Sequence, residues 1–146
     1  MKTSLPNLLR LEIFIYLGYA FYMKILIVED EQYMRDLYIE LLKEEGYEVE
    51  SADNGDKAYE LMANNYYDLI LLDLVMPNMS GIAVVKKLKS ENMPKTGFPK
   101  IVILTNLGQD TVIGEAVSLG VRGYIIKSEV TPDKILKEVK DYLDGK

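Results

Sequence analysis

Residues 69–73 read Leu-Ile-Leu-Leu-Asp, four apolar side chains followed at once by a carboxylate. A continuous apolar run of this length is typical of a strand that is buried on both faces of a parallel sheet. Comparable runs occupy residues 25–28 and 101–104. We therefore begin from the hypothesis that Asp73 stands at the carboxyl end of a buried strand.

Helix-length segments separate the apolar runs from Met23 onward. In these segments apolar residues recur at 3- and 4-residue spacing, Gly46 is placed to end the first helix, and Thr131-Pro132 is placed to begin the last. The predicted strands lie at residues 25–28, 47–51, 69–72, 101–104 and 124–126. Five strands alternating with five helices predict an α/β fold, a (βα)5 doubly wound sandwich with helices on both faces of a five-stranded parallel sheet.

The composition excludes several kinds of chemistry. The 146 residues suit one ordinary domain, and they include no cysteine and no histidine. Disulfides, thiolate zinc sites, imidazole catalysis and a phosphohistidine on this chain are therefore ruled out. The net charge of -6 argues against non-specific binding to nucleic acid or to anionic membranes.

The first 22 residues differ from the rest, and we treat 1–22 as an apolar N-terminal extension and 23–146 as the domain. The apolar run after Glu12 is short of the roughly 20 residues that span a bilayer. Three interpretations stay open: an extension upstream of a natural start at Met23, an amphipathic helix that docks on the domain or a partner, and a membrane anchor.

Polar side chains follow four of the five predicted strands. They are Glu29 and Asp30, Asp73, Thr105, and Lys127. Because ligands of open α/β sheets bind outside the carboxyl ends of the strands, these groups converge on one edge. Each of them alone is ordinary, since an aspartate after a strand is usually a turn residue and a lysine usually a surface charge. Their joint placement favours a functional site.

The chemistry of the site follows from these residue types. Clustered carboxylates repel one another, and a hard divalent cation such as Mg2+ relieves that repulsion. Asp73 is then placed as a nucleophile that forms an acyl phosphate. Lys127 and the Thr105 hydroxyl are placed to stabilise the phosphoryl oxygens.

Four segments carry a resemblance to a known family. They read Ile-Val-Glu-Asp-Glu at 27–31, Leu-Leu-Asp-Leu-Val-Met-Pro-Asn-Met-Ser-Gly at 71–81, Ile-Leu-Thr-Asn at 103–106 and Gly-Tyr-Ile-Ile-Lys at 123–127. Residues 23–146 resemble a response-regulator receiver domain of two-component signalling, of the single-domain, chemotaxis-regulator-like kind. The resemblance implies a flavodoxin-like fold and a stand-alone phosphorylated switch that is not an enzyme.

The resemblance also assigns roles to residues. Asp73 resembles the phosphoacceptor, and Glu29 and Asp30 with Asp73 and the Val75 carbonyl resemble the ligands of Mg2+, for which Mn2+ can substitute. Thr105 and Lys127 resemble the residues that contact the phosphoryl group, and Thr105 with Tyr124 resembles the switch pair. The switch pair implies that Tyr124 swings inward when Thr105 moves toward the phosphate.

Partners follow from the same resemblance. The donor is expected to be a sensor histidine kinase or a phosphotransfer protein, and an effector protein is expected on the face formed by the fourth helix, fifth strand and fifth helix. A cytoplasmic location, no direct nucleic-acid partner and no membrane association are expected.

Two departures from the family pattern stand out. Ser128 follows Lys127 where the family commonly has a proline in a cis peptide, and a cis bond before a non-proline residue costs about 3 kcal/mol. We therefore expect a trans or strained loop there. Val75 and Leu107 are apolar at positions that in the family tune dephosphorylation, which predicts a dry site and a long-lived phosphoaspartate.

Competing functions are disfavoured by single positions. A phosphohydrolase of the haloacid-dehalogenase-like type needs a second acid two residues after the nucleophile, and position 75 is valine. A degenerate scaffold would lack Asp73 or Lys127. A flavodoxin-like flavin binder needs a phosphate-binding loop after the first strand, where Glu29-Asp30-Glu31 would repel phosphate.

Overall fold

The computed structural model describes residues 23–91, 93–106 and 110–145. Five strands and five α-helices alternate along this part of the chain. The strands are β1 (Lys24–Val28), β2 (Glu48–Ala52), β3 (Leu69–Asp73), β4 (Ile101–Thr105) and β5 (Gly123–Ile126). The helices are α1 (Gln32–Glu44), α2 (Gly55–Asn64), α3 (Gly81–Glu91), α4 (Asp110–Ser118) and α5 (Pro132–Leu143).

All strands are parallel and lie in the order β2-β1-β3-β4-β5. The chain moves outward from β1 to β2 and then crosses back to β3 on the other side of β1. The strand order therefore reverses between β1 and β3, which is where open α/β sheets bind their ligands. Glu29 and Asp73 lie at this crevice, at the carboxyl ends of the two strands.

The apolar runs divide into two cores because successive side chains of a strand point to opposite faces. Leu26, Val28, Ile70 and Leu72 belong to the core under α2, α3 and α4. The alternate strand residues belong to the core under α1 and α5: Ile25, Ile27, Leu69 and Leu71. Strands that are buried on both faces confirm the predicted doubly wound architecture.

Local signals fix the ends of the helices next to the site. The Glu31 side chain accepts hydrogen bonds from the N–H groups of Tyr33 and Met34 and so caps α1, while Gly46, at a φ of 93°, follows its end. The Asn54 side chain caps α2 by accepting from Lys57 N at 2.9 Å. These caps set where the loops after β1 and β2 turn back toward the sheet.

Two local predictions differ from the structure by small amounts. The second strand begins at Glu48 rather than Tyr47, because Tyr47 N–H still donates to Leu42 O at the end of α1. Thr131 does occupy the N-cap position of α5, with Pro132 in the first turn, but its side chain makes no capping hydrogen bond.

The predicted extension, residues 1–22, lies outside the described part of the chain. Within the described part, no helix combines the length and the apolar character needed to span a bilayer.

Candidate functional site

Three carboxylates meet at the crevice between β1 and β3. Carboxylate oxygens of Glu29, Asp30 and Asp73 all lie within 4.8 Å of one another. Glu29 is 1% exposed and Asp73 6% exposed, whereas Asp30 is exposed. The structure thus brings together the three acids that the sequence placed at this edge, two of them almost removed from water.

Lys127 lies between two of these acids. It follows β5 in a short 3-10 turn, Lys127–Glu129, and its Nζ is 2.5 Å from Glu29 Oε1 and 3.0 Å from Asp73 Oδ2. The sequence predicted Lys127 near Asp73 but did not predict its contact with Glu29, a residue 98 positions away. One ammonium is therefore shared by two buried carboxylates.

The pKa of Glu29 is raised to about 7. Burial is the main cause, and the neighbouring Asp73 carboxyl adds more than Lys127 takes away. Burial alone would lower the pKa of Lys127, but its hydrogen bonds and ion pairs with Glu29 and Asp73 outweigh that effect and the pKa is raised. Lys127 is consequently a cation at neutral pH. The site keeps more negative charge than one lysine neutralises.

The loop after β3 holds the second oxygen of Asp73. Val75 N–H donates to Asp73 Oδ1 at 3.1 Å, and the Val75 side chain is 60% exposed. Gly81, the first residue of α3, packs against the backbone carbonyl of Asp73, where a Cβ would overlap the carbonyl oxygen. Helix α3 therefore starts directly against Asp73. Metal binding by the Val75 carbonyl stays a prediction.

The loop after β1 is held by backbone contacts. Glu29 N–H donates to Ala52 O at 3.1 Å, which ties the loop to β2. Arg35 reaches back from α1, and its Nη1 donates to the carbonyl of Glu29 at 2.9 Å and more weakly to that of Asp30 at 3.4 Å. No sequence pattern points to Arg35, because a lone arginine in the first turns of a helix is most often a surface charge.

The two predicted switch residues lie on neighbouring strands. Thr105 is the last residue of β4 and fully buried, with its hydroxyl 3.4 Å from Asn106 O. Tyr124 lies on β5 and is 50% exposed, so its ring points outward in this structure. Their roles stay predictions.

Two further expectations concern the neighbouring loops. No cis peptide bond occurs in the described residues, so the bond between Lys127 and Ser128 is trans. Leu107, which we expected to help exclude water, lies outside the described residues.

Tyr38 on α1 is a tyrosine buried among apolar residues. Its side chain is 1% exposed, and its hydroxyl has no hydrogen-bond partner among the described residues. Burial raises the pKa of Tyr38, and the charges of Lys127, Glu29 and Asp73 also act on it. An unpartnered buried hydroxyl of this kind costs free energy of folding.

The donor set suits a hard divalent cation. The three carboxylates offer only oxygen ligands, as Mg2+ and Mn2+ prefer, and Asp30 leaves the cluster open to solvent. Lys127 neutralises only part of the negative charge, so a cation at this position would relieve repulsion that the protein leaves in place. The residues present therefore fit the metal that the sequence predicted.

Comparison with known proteins identifies the class. The family model described as response regulator receiver domain matches residues 25–140. The transcriptional regulatory protein SrrA of Staphylococcus aureus is 38% identical over 120 residues, which are 82% of this chain and 47% of SrrA. The chain thus spans about half the length of this curated relative.

Solved structures give the same answer. A CheY-like response regulator receiver domain protein from Methanospirillum hungatei superposes with a TM-score of 0.74 at 29% identity, covering 84% of this chain and 94% of that one. The response regulator TrrA from Thermotoga maritima, in complex with Mg(2+)-BeF, superposes with a TM-score of 0.68 at 33% identity, covering 82% and 97%.

The chain belongs to the response regulator receiver domain family. It is a receiver domain of two-component signalling with a flavodoxin-like fold, as predicted. The expectation of no direct nucleic-acid partner does not fit a relative that is a transcriptional regulatory protein, and we do not retain it.

Proposed function

We propose that this chain is a phosphorylation-driven binding switch in which Asp73 accepts the phosphoryl group. The observation that carries the proposal is the convergence on Asp73: Glu29 and Asp30 within 4.8 Å, and Lys127 Nζ at 3.0 Å. Phosphoryl transfer to a carboxylate needs positive charge near the carboxylate and the phosphoryl oxygens. Lys127 supplies one such charge, and Glu29 and Asp30 would supply another by holding a divalent cation.

Glu29, Asp30, Asp73 and the Val75 carbonyl would hold Mg2+, with Mn2+ as a substitute. The bound cation supplies neutralisation of the charge on the phosphoryl oxygens. The relative whose structure contains Mg(2+)-BeF supports this part of the proposal.

The residues of the chain account for the transfer. An Asp73 carboxylate oxygen forms a bond to phosphorus while the bond from phosphorus to a histidine nitrogen of the donor breaks. The donor ring, protonated on its other nitrogen, keeps the electron pair of the broken bond and leaves as neutral imidazole. Lys127 exchanges its contact with Glu29 for a contact with a phosphoryl oxygen. The donor is a separate sensor histidine kinase or phosphotransfer protein, because this chain contains no histidine.

The phosphoryl group then biases a two-state switch. Thr105, whose hydroxyl is 3.4 Å from Asn106 O in the present structure, turns toward a phosphoryl oxygen. That movement frees space for the exposed ring of Tyr124 to swing inward, which changes the surface of α4, β5 and α5. An effector protein that binds this surface distinguishes the two states.

Acetyl phosphate with Mg2+ tests the phosphorylation site. We expect the intact mass of the wild type to rise by one phosphoryl group, and that of Asp73→Asn to stay unchanged. Asp53→Asn is the matched control, since Asp53 is exposed just after β2 at the same edge of the sheet. An unmodified wild type, or an Asp73→Asn variant modified like the wild type, refutes the assignment.

We also propose a long-lived phosphoaspartate. Val75, whose backbone N–H donates to Asp73 Oδ1, has an apolar side chain that offers no group to orient an attacking water. Leu107 is apolar at the second such position of the sequence. The half-life of the phosphorylated protein in Mg2+ measures it, and loss within seconds would contradict it.

The proposal includes a cytoplasmic protein that acts without an output domain and transforms no separate substrate. SrrA is longer than the region it shares with this chain, which covers 47% of it, so action without an output domain needs its own test. The mass of the protein isolated from its native cells decides: 16.7 kDa supports the proposal, and about twice that refutes it.

A further inference from the structure

Arg35 is the one described cation, apart from Lys127, that hydrogen-bonds the residues of the acidic cluster. It lies one turn into α1, is half-buried, and turns back toward the loop that precedes its own helix. Its Nη1 contacts the carbonyl oxygens of Glu29 and Asp30 rather than their carboxylates. None of the steps proposed above for phosphoryl transfer involves these contacts of Arg35.

Asp30 shows why the contacts matter. Its carboxylate is exposed, and none of the described residues donates a hydrogen bond to it. The direction of that carboxylate is therefore set by the backbone of residues 29–31. Arg35 at one side, Ala52 O at another and the capping side chain of Glu31 hold that backbone in place.

Two effects of Arg35 on a bound cation oppose each other. Its permanent positive charge repels a divalent cation nearby, which weakens binding. Its hydrogen bonds hold the backbone that carries two of the ligands, Glu29 and Asp30, which lowers the cost of ordering them and strengthens binding. Because Arg35 donates to carbonyl oxygens, it occupies none of the three carboxylates that would bind the metal.

We propose that Arg35 is a positioning residue for the divalent-cation site, and that its hold on the loop outweighs its repulsion of the cation. The inference rests on the proposed function, since it concerns the metal of the same site. It predicts that removing the guanidinium weakens metal binding even though it removes a positive charge.

Mn2+ binding, followed by the electron paramagnetic resonance signal of the free ion, measures the effect without any phosphorylation. Arg35→Met keeps much of the apolar stem and removes both the donors and the charge. Arg35→Lys keeps the charge without the planar fork. Arg122→Met is the matched control, because Arg122 is exposed and lies at the opposite end of the sheet, just before β5.

We expect the Kd for Mn2+ to rise roughly tenfold in Arg35→Met, less in Arg35→Lys, and not at all in Arg122→Met. The Mg2+ concentration that half-saturates labelling by acetyl phosphate should rise in parallel, while the rate at saturating Mg2+ stays that of the wild type. A purely structural role would not produce this separation. Circular dichroism confirms that each variant is folded, and if Arg35→Met fails to fold, the Kd of Arg35→Lys decides in its place.

An Arg35→Met variant that binds Mn2+ as tightly as the wild type, or more tightly, overturns the inference. Asp30→Asn separates this failure from a failure of the proposed site. If the wild type binds Mn2+ and Asp30→Asn does not, the site stands and only the role of Arg35 is lost. If the wild type binds no Mn2+, the site and the inference both fall.

Discussion

The sheet carries a lysine–glutamate pair toward each of its two ends, and the two pairs differ. Toward the amino ends of the strands, Lys24 Nζ is 2.8 Å from Glu50 Oε2, and both side chains are partly exposed. At the carboxyl ends, Lys127 Nζ is 2.5 Å from Glu29 Oε1, and both are mostly buried. The contacts are similar, but their surroundings are not.

The pKa values of the two glutamates move in opposite directions. The hydrogen bond from Lys24, together with one from Tyr67 Oη at 2.7 Å, lowers the pKa of Glu50. Burial and the proximity of Asp73 raise the pKa of Glu29 despite its lysine. At the amino end, Lys24 and Glu50 neutralise each other and hold the strands together. At the carboxyl end, negative charge remains that can bind a cation or take part in phosphoryl transfer.

The largest effect is expected from removing each lysine in turn. Lys127→Met should lower the rate of labelling by acetyl phosphate about a hundredfold, because the ammonium that stabilises the phosphoryl oxygens is lost. Lys24→Met should leave that rate unchanged. The initial rate at saturating Mg2+ measures both variants, and equal losses in the two would remove the distinction between the two ends.

A smaller effect is expected from pH. Below about pH 7 Glu29 binds a proton in the metal-free protein, and that proton competes with the cation. The affinity for Mn2+ should therefore fall about tenfold between about pH 8 and about pH 6. Glu50, with its lowered pKa, stays ionised over this range. Titrations at several pH values measure the change, and a flat profile would show that Glu29 is not a ligand or that its pKa is not raised.

The smallest effect is expected from two buried tyrosines, one in each region. Tyr67→Phe removes the hydrogen bond to Glu50 and should lower the free energy of unfolding by about 1 kcal/mol. Tyr38→Phe removes an unpartnered hydroxyl and should raise it by about 1 kcal/mol. Tyr33→Phe, at an exposed position, is the control. Urea denaturation measures all three, and a destabilised Tyr38→Phe would show that its hydroxyl has a partner.

Much of the fold could be predicted because its signals are local. The continuous apolar runs at 69–72 and 101–104 mark buried parallel strands without any knowledge of their neighbours. The polar residue that ends each run identified the functional edge for the same reason. The boundary of β2 was predicted less well, because Tyr47 N–H donates a hydrogen bond to Leu42 O of the preceding helix, a contact that no sequence pattern reveals.

The details of the site depend on contacts across long stretches of sequence. The pairing of Lys127 with Glu29 joins residues 98 positions apart, and the order of the strands decides it. The unpartnered hydroxyl of Tyr38 and the backbone contacts of Arg35 depend on the placement of side chains in three dimensions. Glu31 extends the acidic run of the sequence, but the structure uses it as a helix cap.

The burial of β3 on both faces has a consequence for insertions and deletions. In a sheet with one solvent-exposed face, a one-residue shift of a strand's register moves its apolar side chains into water and destabilises the fold. Here both faces of the strand are buried in apolar cores, so hydrophobicity alone does not penalise a one-residue slip of the Leu-Ile-Leu-Leu run. A chain with one residue deleted from 69–72 could remain compact and yet carry Asp73 turned away from Lys127. The register of this strand therefore matters first for the contact between Asp73 and Lys127, which hydrophobic burial by itself does not specify.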